Sequence, residues 1–273
     1  MRQVVGMDLL AKADDALLRA DIQWLPLKGI WLVLEGVYPD FDGRPMSDVD
    51  ILVPPERYAD ARRVLRGVGF LETKTRAGEV AMVLSDGGFS LDLHAHLFAP
   101  ACFDLPTDAV FARAQPPRER RGLRVTAPSP LDGFAHLVGH YVRGGIHARD
   151  AAHCRDFGRI IDHWQLGIEA IAAHMVHVGM PRAARFCLTQ AGGVAAEPRL
   201  LEIVAALPID PLGSRIARLA ALLDRDRRLP RQLTSATLML LSRDLPTGLS
   251  TVATQAGVHA TRQLARLRGR SAG

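Results

Sequence analysis

The stretch Arg44-Pro45-Met46-Ser47-Asp48-Val49-Asp50-Ile51-Leu52-Val53 sets two aspartates two residues apart inside an alternating apolar run. On a strand, residues i and i+2 share a face. Asp48 and Asp50 therefore stand side by side, while Val49, Ile51 and Val53 turn into the core. Two adjacent carboxylates repel unless a cation sits between them. Hard oxygen ligands of this kind suit Mg²⁺ or Mn²⁺. A second run repeats the device: Leu91, Leu93, Ala95 and Leu97 alternate with Asp92, His94 and His96. If its strand pairs beside the first, Asp92 brings a third carboxylate. Three carboxylates can hold two divalent ions about 4 Å apart, an arrangement that serves in-line phosphoryl or nucleotidyl transfer.

The elements that must carry these residues are legible by periodicity. Leu10, Ala13, Leu17 and Leu18 predict a helix over 7–20, and Ile22 to Leu25 a short strand stopped by Pro26. Gly29 to Gly36 reads as a buried helix, Val49 to Val53 as a strand, and Pro55 to Gly67 as an amphipathic helix. Phe70–Thr75, Val80–Ser85 and Phe89–Leu97 read as three strands, with Asp86-Gly87-Gly88 as a hairpin turn. Pro100 to Pro130 reads as loop, with the Pro116-Pro117 pair and a basic cluster at Arg118, Arg120, Arg121 and Arg124. Ser129-Pro130-Leu131-Asp132 is a helix start, with Ser129 as cap and Pro130 at the first position. From there the pattern is helical, with Cys154, Phe157, Ile161 and Trp164 on one stripe. The fold class expected is α+β, with a domain of mixed sheet flanked by helices over 1–126 and an all-α helical domain over 127–273.

The order Leu27-Lys28-Gly29, helix, Arg44-x-x-Ser47-Asp48-x-Asp50-Ile51-Leu52-Val53, helix, Gly69-Phe70, Leu91-Asp92-Leu93-His94 resembles the uncharacterised nucleotidyltransferase family of the polymerase-β-like superfamily. The resemblance spans roughly 22–165, including His140 and Arg155-Asp156-Phe157. More distantly, the chain is similar to nucleotidyltransferase toxins with a Lys-Gly-Gly segment before the Asp-x-Asp strand. It implies a polymerase-β-like nucleotidyltransferase domain, two Mg²⁺ ions (Mn²⁺ as the alternative) and transfer of an NMP from an NTP. Carried over by position, Asp48 and Asp50 bind both metals, and Asp92 binds the catalytic one and helps deprotonate the acceptor hydroxyl. The family's usual Gly-Ser, which cradles the triphosphate, is replaced here by Lys28-Gly29. Gly29 lets backbone approach a phosphate, and Lys28 adds a point charge for the β- and γ-phosphates. Ser47 can donate to the same group. Arg44 either binds phosphate or pairs with Asp40 or Asp42. His94, one pleat from Asp92, faces the nucleotide or the acceptor, and His96 sits at the rim.

Composition narrows the rest. The chain has 273 residues, 48% hydrophobic and 23% charged, which excludes a disordered or fibrous protein. No apolar run approaches the roughly 18 residues of a membrane-spanning helix. Asp8, Asp14 and Asp15 interrupt the N-terminal region where a signal peptide needs an apolar stretch, so a cytoplasmic chain is expected. Cys102, Cys154 and Cys187 fit neither a disulfide framework nor a metal site and read as buried apolar residues. Arg262, Arg266, Arg268 and Arg270 supply most of the net charge of +5, leaving a near-neutral body. Lysine occurs three times against 31 arginines, so arginine richness is a usage bias rather than a nucleic-acid footprint. No Walker A, GxGxxG or GxSxG motif occurs. The acceptor is left open among a small hydroxylated molecule, a protein or peptide hydroxyl and an RNA 3′ end. Three rival readings stand: a degenerate nucleotide-binding or regulatory protein, a metal-dependent phosphohydrolase, and a tRNA-modifying nucleotidyltransferase toxin.

Overall fold

The computed structural model describes residues 2–39, 43–76, 79–84, 89–98, 102–143, 151–225 and 240–241. The basic tail, His147, Asp40, Asp42 and the Asp86-Gly87-Gly88 turn lie outside the described residues. Two compact units divide the chain. One is formed by Met1–Phe98, Leu105–Leu137 and Arg155–Gly167, the other by Ala99–Asp104, Val138–Cys154 and Ile168–Gly273.

The first unit is built on a five-stranded mixed sheet in the order β1-β2-β5-β4-β3. Its strands are β1 (Leu25–Leu27), β2 (Asp48–Leu52), β3 (Phe70–Arg76), β4 (Glu79–Leu84) and β5 (Ser90–His94). β2 runs antiparallel to β1 and parallel to β5, and β5-β4-β3 form an antiparallel meander. Helices α1 (Arg2–Arg19), α2 (Lys28–Leu34) and α3 (Tyr58–Gly67) belong to this unit, α3 preceded by a single 3₁₀ turn at Pro55–Arg57. The alternation in β2 and β5 does what the pattern predicts. Val49, Ile51, Val53, Leu91 and Leu93 are fully buried, and each such side chain contributes about 1.5–3 kcal/mol relative to exposure. Leu9, Leu10, Ala13 and Leu17 form the buried stripe of α1, whereas Leu18 is 72% exposed.

Two local readings change. The first strand lies at Leu25–Leu27 and includes Pro26, rather than ending before it. β1 is a sheet edge, where a residue without an N–H is tolerated. The segment read as loop contains helix α4 (Thr107–Ala112) and a hairpin of β6 (Gln115–Arg120) and β7 (Leu123–Ala127). Both turn residues, Arg121 and Gly122, have positive φ, 52° and 81°, the geometry of the tight hairpin turn. The register breaks between Gln115 and Arg118, where Pro116 and Pro117 sit.

Helices α5 (Pro130–Arg143) and α6 (Ala151–Trp164) contribute residues to both units. Ser129 Oγ accepts the Asp132 amide at 3.1 Å, which caps α5 as its sequence predicts. Within the first unit, Trp31 of α2 stacks on Trp164 of α6, ring centroids 5.1 Å apart and 9° from parallel. Gly133 lies against the same indole, and a Cβ there would come within 2.3 Å of it. The second unit holds α7 (Ile168–His177), α8 (Pro181–Ala195), α9 (Pro198–Ala206) and α10 (Pro211–Arg225). Cys102, Cys154 and Cys187 are buried free thiols. Among the described residues, no helix is long and apolar enough to cross a membrane.

Candidate active site

The parallel pairing of β2 with β5 brings the carboxylates together. Its register sets Asp50 directly beside Asp92, and Leu52 beside His94. Asp50 is buried, with its side chain 5% exposed. Its Oδ1 accepts from Lys28 Nζ at 2.5 Å and lies 2.9 Å from His94 Nε2. An ionised carboxylate can only accept, so that imidazole nitrogen carries the proton. Ligand atoms of Asp50, Asp92 and His94 all lie within 4.8 Å of one another, the cluster among the described residues with the geometry to hold a metal ion. Asp48, one pleat back, is half-buried and outside that trio. Ser47 Oγ donates to it at 3.4 Å.

The electrostatics of the three carboxylates diverge. Burial would raise Asp50, but the His94 hydrogen bond and the Lys28 ammonium outweigh it and hold this carboxyl well below its usual range. Burial pushes Asp92 up to about 6, with the charges of Asp50 and Asp48 adding to the rise. Asp48 is raised by burial and then by Asp50. One lysine thus faces three carboxylates whose charges oppose one another. Hard oxygen donors crowded in this way, with one imidazole nitrogen beside them, fit a divalent cation.

Lys28 opens α2 with φ of 51°. An L side chain in that left-handed region costs about 1–2 kcal/mol, and the ion pair to Asp50 offsets it. Gly29 packs on Met46, and a Cβ there would come 3.2 Å from the Met46 methyl. The start of α2 is thereby seated on the segment leading into β2.

Arg44 is elsewhere engaged. It is 5% exposed. Its Nε donates to both oxygens of Asp156 at 3.0 Å, its Nη2 lies 2.9 Å from Oδ2, and its Nη1 donates to the Pro45 carbonyl at 3.0 Å. Tyr38 donates to Asp156 Oδ1 at 2.5 Å, and the Arg159 guanidinium lies over the Tyr38 ring at 4.4 Å. Neither alternative weighed for Arg44, phosphate or Asp40/Asp42, included Asp156. The partners are 112 residues apart, and nothing local in the sequence announces the pair. His96 is exposed.

With this geometry established, the comparisons have a structural meaning. The profile of the uncharacterised nucleotidyltransferase family matches residues 1–193, and the chain belongs to that family. No curated protein matches the sequence. Among solved structures, the solution structure of the antibiotic-resistance factor ANT(2'')-Ia aligns over 64% of this chain and 91% of its own, at TM-score 0.51 and 13% identity. A crystal structure of ANT(2'')-Ia in complex with adenylyl-2''-tobramycin aligns over 62% and 94%, at TM-score 0.49 and 14% identity. At 13% identity the likeness to the solution structure concerns the fold alone, a mixed sheet with helices.

Proposed function

We propose that this nucleotidyltransferase is divalent-metal-dependent and moves an NMP from an NTP to a hydroxyl acceptor at Asp48, Asp50 and Asp92. The observation that carries the reading is the parallel β2–β5 register, which sets Asp50 beside Asp92 with His94 at the same cluster. Asp50 and Asp92, with Asp48 and His94 beside them, would hold Mg²⁺ or Mn²⁺; two ions are the number the three carboxylates accommodate. Such an ion supplies charge neutralisation at the triphosphate and acidifies the attacking hydroxyl.

The chain's own groups divide the remaining work. Asp50, held ionised by Lys28 and His94, stays an acceptor at any working pH. Asp92, its carboxyl raised to about 6 in the metal-free protein by burial and its acidic neighbours, is ionised above neutrality and is the group we assign as base. The acceptor hydroxyl gives its proton to Asp92 as its oxygen bonds to the α-phosphorus. The bond from that phosphorus to the bridging oxygen breaks, and pyrophosphate leaves. Lys28 meets the phosphates, with Gly29, Ser47 and His94 lining the nucleotide. Arg44, through Asp156, positions the chain that enters β2.

We assign transfer to a nucleotidyltransferase domain over 1–126, followed by a helical region over 127–273. Only helices occur among its described elements from α5 onward. The site needs no membrane, and we place the chain in the cytoplasm. One observation favours a second reading, a nucleotide-binding protein without transfer: Lys28 already occupies an oxygen of Asp50.

Transfer assays with each α-labelled NTP and Mg²⁺ or Mn²⁺ separate the two. RNA, protein and small-molecule fractions serve as acceptors. Label entering one fraction, and absent with Asp50→Asn, supports transfer and identifies the acceptor class. Saturable nucleotide binding without label in any fraction supports the second reading.

A further inference from the structure

The helical unit carries a cavity that the proposed reaction does not use. Its volume is about 370 Å³, and residues of α8, α9 and α10 line it. Pockets for small organic ligands run from roughly 300 to 1,000 Å³. Arg182 and Arg185 stand three apart on α8, on one face of the helix. Arg218 comes from α10. Phe186, Val204 and Ala217 give the cavity apolar wall. Asp210 is the single carboxylate among its lining residues, so three guanidinium groups face one negative charge.

Internal partners do not exhaust these donors. Arg182 Nε is paired with Asp210. Arg185 Nη2 donates to the carbonyls of Leu207 at 2.6 Å and Pro208 at 2.9 Å. Arg182 Nη1 and Arg185 Nε remain buried with no hydrogen-bond partner. A buried charged donor without an acceptor keeps its full desolvation penalty, and native proteins rarely leave one so. Two such atoms on neighbouring arginines of one cavity find no acceptor among the described residues. Guanidinium forks match the paired oxygens of carboxylates and phosphates.

We propose that this cavity is a binding site for a small organic anion, a phosphate ester or carboxylate with an apolar body, seated on Arg182 and Arg185. The acidic head pairs with the guanidinium groups of Arg182 and Arg185, and the body lies against Phe186, Val204 and Ala217. The inference is independent of the transfer reading, because every residue it uses lies in α8–α10 or the Leu207–Asp210 connection.

The test is calorimetric titration of the full chain at fixed ionic strength with phenyl phosphate, benzoate and inorganic phosphate. One equivalent of phenyl phosphate or benzoate is expected to bind, at least tenfold tighter than inorganic phosphate. Phenyl phosphate over benzoate marks a phosphate ester, and the reverse order a carboxylate. Arg185→Gln is expected to weaken binding at least tenfold, and Lys28→Met to leave it unchanged. Should Arg185→Gln fail to fold, Arg218→Gln on the exposed side of α10 is expected to weaken binding several-fold. Absence of saturable binding by all three probes overturns the proposal. So does undiminished binding by a folded Arg185→Gln protein, or an equal loss in Lys28→Met, which would put the anion at the nucleotide.

Discussion

Asp50 and Asp156 are both buried in the same unit, and both are held by a cation, but their surroundings carry different charge. Asp156 meets the Arg44 guanidinium and the Tyr38 hydroxyl, and the account closes at neutrality. Asp50 meets Lys28, yet its charge raises the proton affinity of both Asp48 and Asp92, and Asp48 adds to the rise at Asp92. The first is a balanced pair that ties α6 to the chain entering β2. The second holds a surplus of negative charge and is stable only as far as protons or cations relieve it. Burial alone therefore does not tell a structural ion from a functional one; the local charge balance does.

The sharpest attempt to break this contrast is Asp50→Asn. The rate of NMP transfer is expected to fall about 10³-fold or more, read in single turnovers with a circular dichroism spectrum matching that of the parent. Next is Asp156→Ala, which strands a buried guanidinium. Urea unfolding should show a loss of about 3–5 kcal/mol, and no divalent ion should restore it. Retention of parental stability would remove the balanced pair from the argument.

Divalent ions give the third test. At a hundred times its dissociation constant, Mg²⁺ or Mn²⁺ should stabilise the parent protein by about 2.7 kcal/mol. The same increment is expected in Tyr38→Phe and none in Asp50→Asn. An increment that survives Asp50→Asn would move the cation elsewhere.

The smallest expected effect has the most specific sign. Asp92 in the fold titrates near 6 against an ordinary 3.8. Its protonated form is therefore favoured by folding, and its ionised form is penalised. The penalty is absent below 3.8, grows between 3.8 and 6, and is complete above 6. The full shift corresponds to about 3 kcal/mol, which partial exposure screens to about 1 kcal/mol. Asp92→Asn should thus stabilise the metal-free protein by about 1 kcal/mol at pH 8 and leave it unchanged at pH 3.5, by urea unfolding at each pH. Destabilisation at pH 8 would mean that Asp92 carries no excess charge.

Much of the candidate site is legible in the sequence, because strand alternation is local. Val49, Ile51 and Val53 alternate with the aspartates of β2, and Leu91 and Leu93 flank Asp92, so each run betrayed its face. What alternation cannot supply is the neighbour: that β5 lies parallel to β2, with Asp92 beside Asp50, depends on the 37 residues of chain between them. The β6–β7 hairpin escaped notice because Pro116-Pro117 reads as a breaker, and a two-stranded sheet tolerates prolines that a central strand would not. The Arg44–Asp156 pair escaped because charge complementarity over 112 residues leaves no local trace.

The stack of Trp31 on Trp164 has an optical consequence. All three tryptophans, Trp24, Trp31 and Trp164, belong to the sheet-bearing unit. Tryptophan emission therefore follows the melting of that unit alone, while the far-ultraviolet amide bands sum the helices of both. Two parallel indoles 5.1 Å apart also couple their excited states, so the contribution of this pair to the near-ultraviolet signal should be lost as soon as α2 separates from α6. The chain thus carries a built-in reporter that distinguishes the sheet-bearing unit from the helical one.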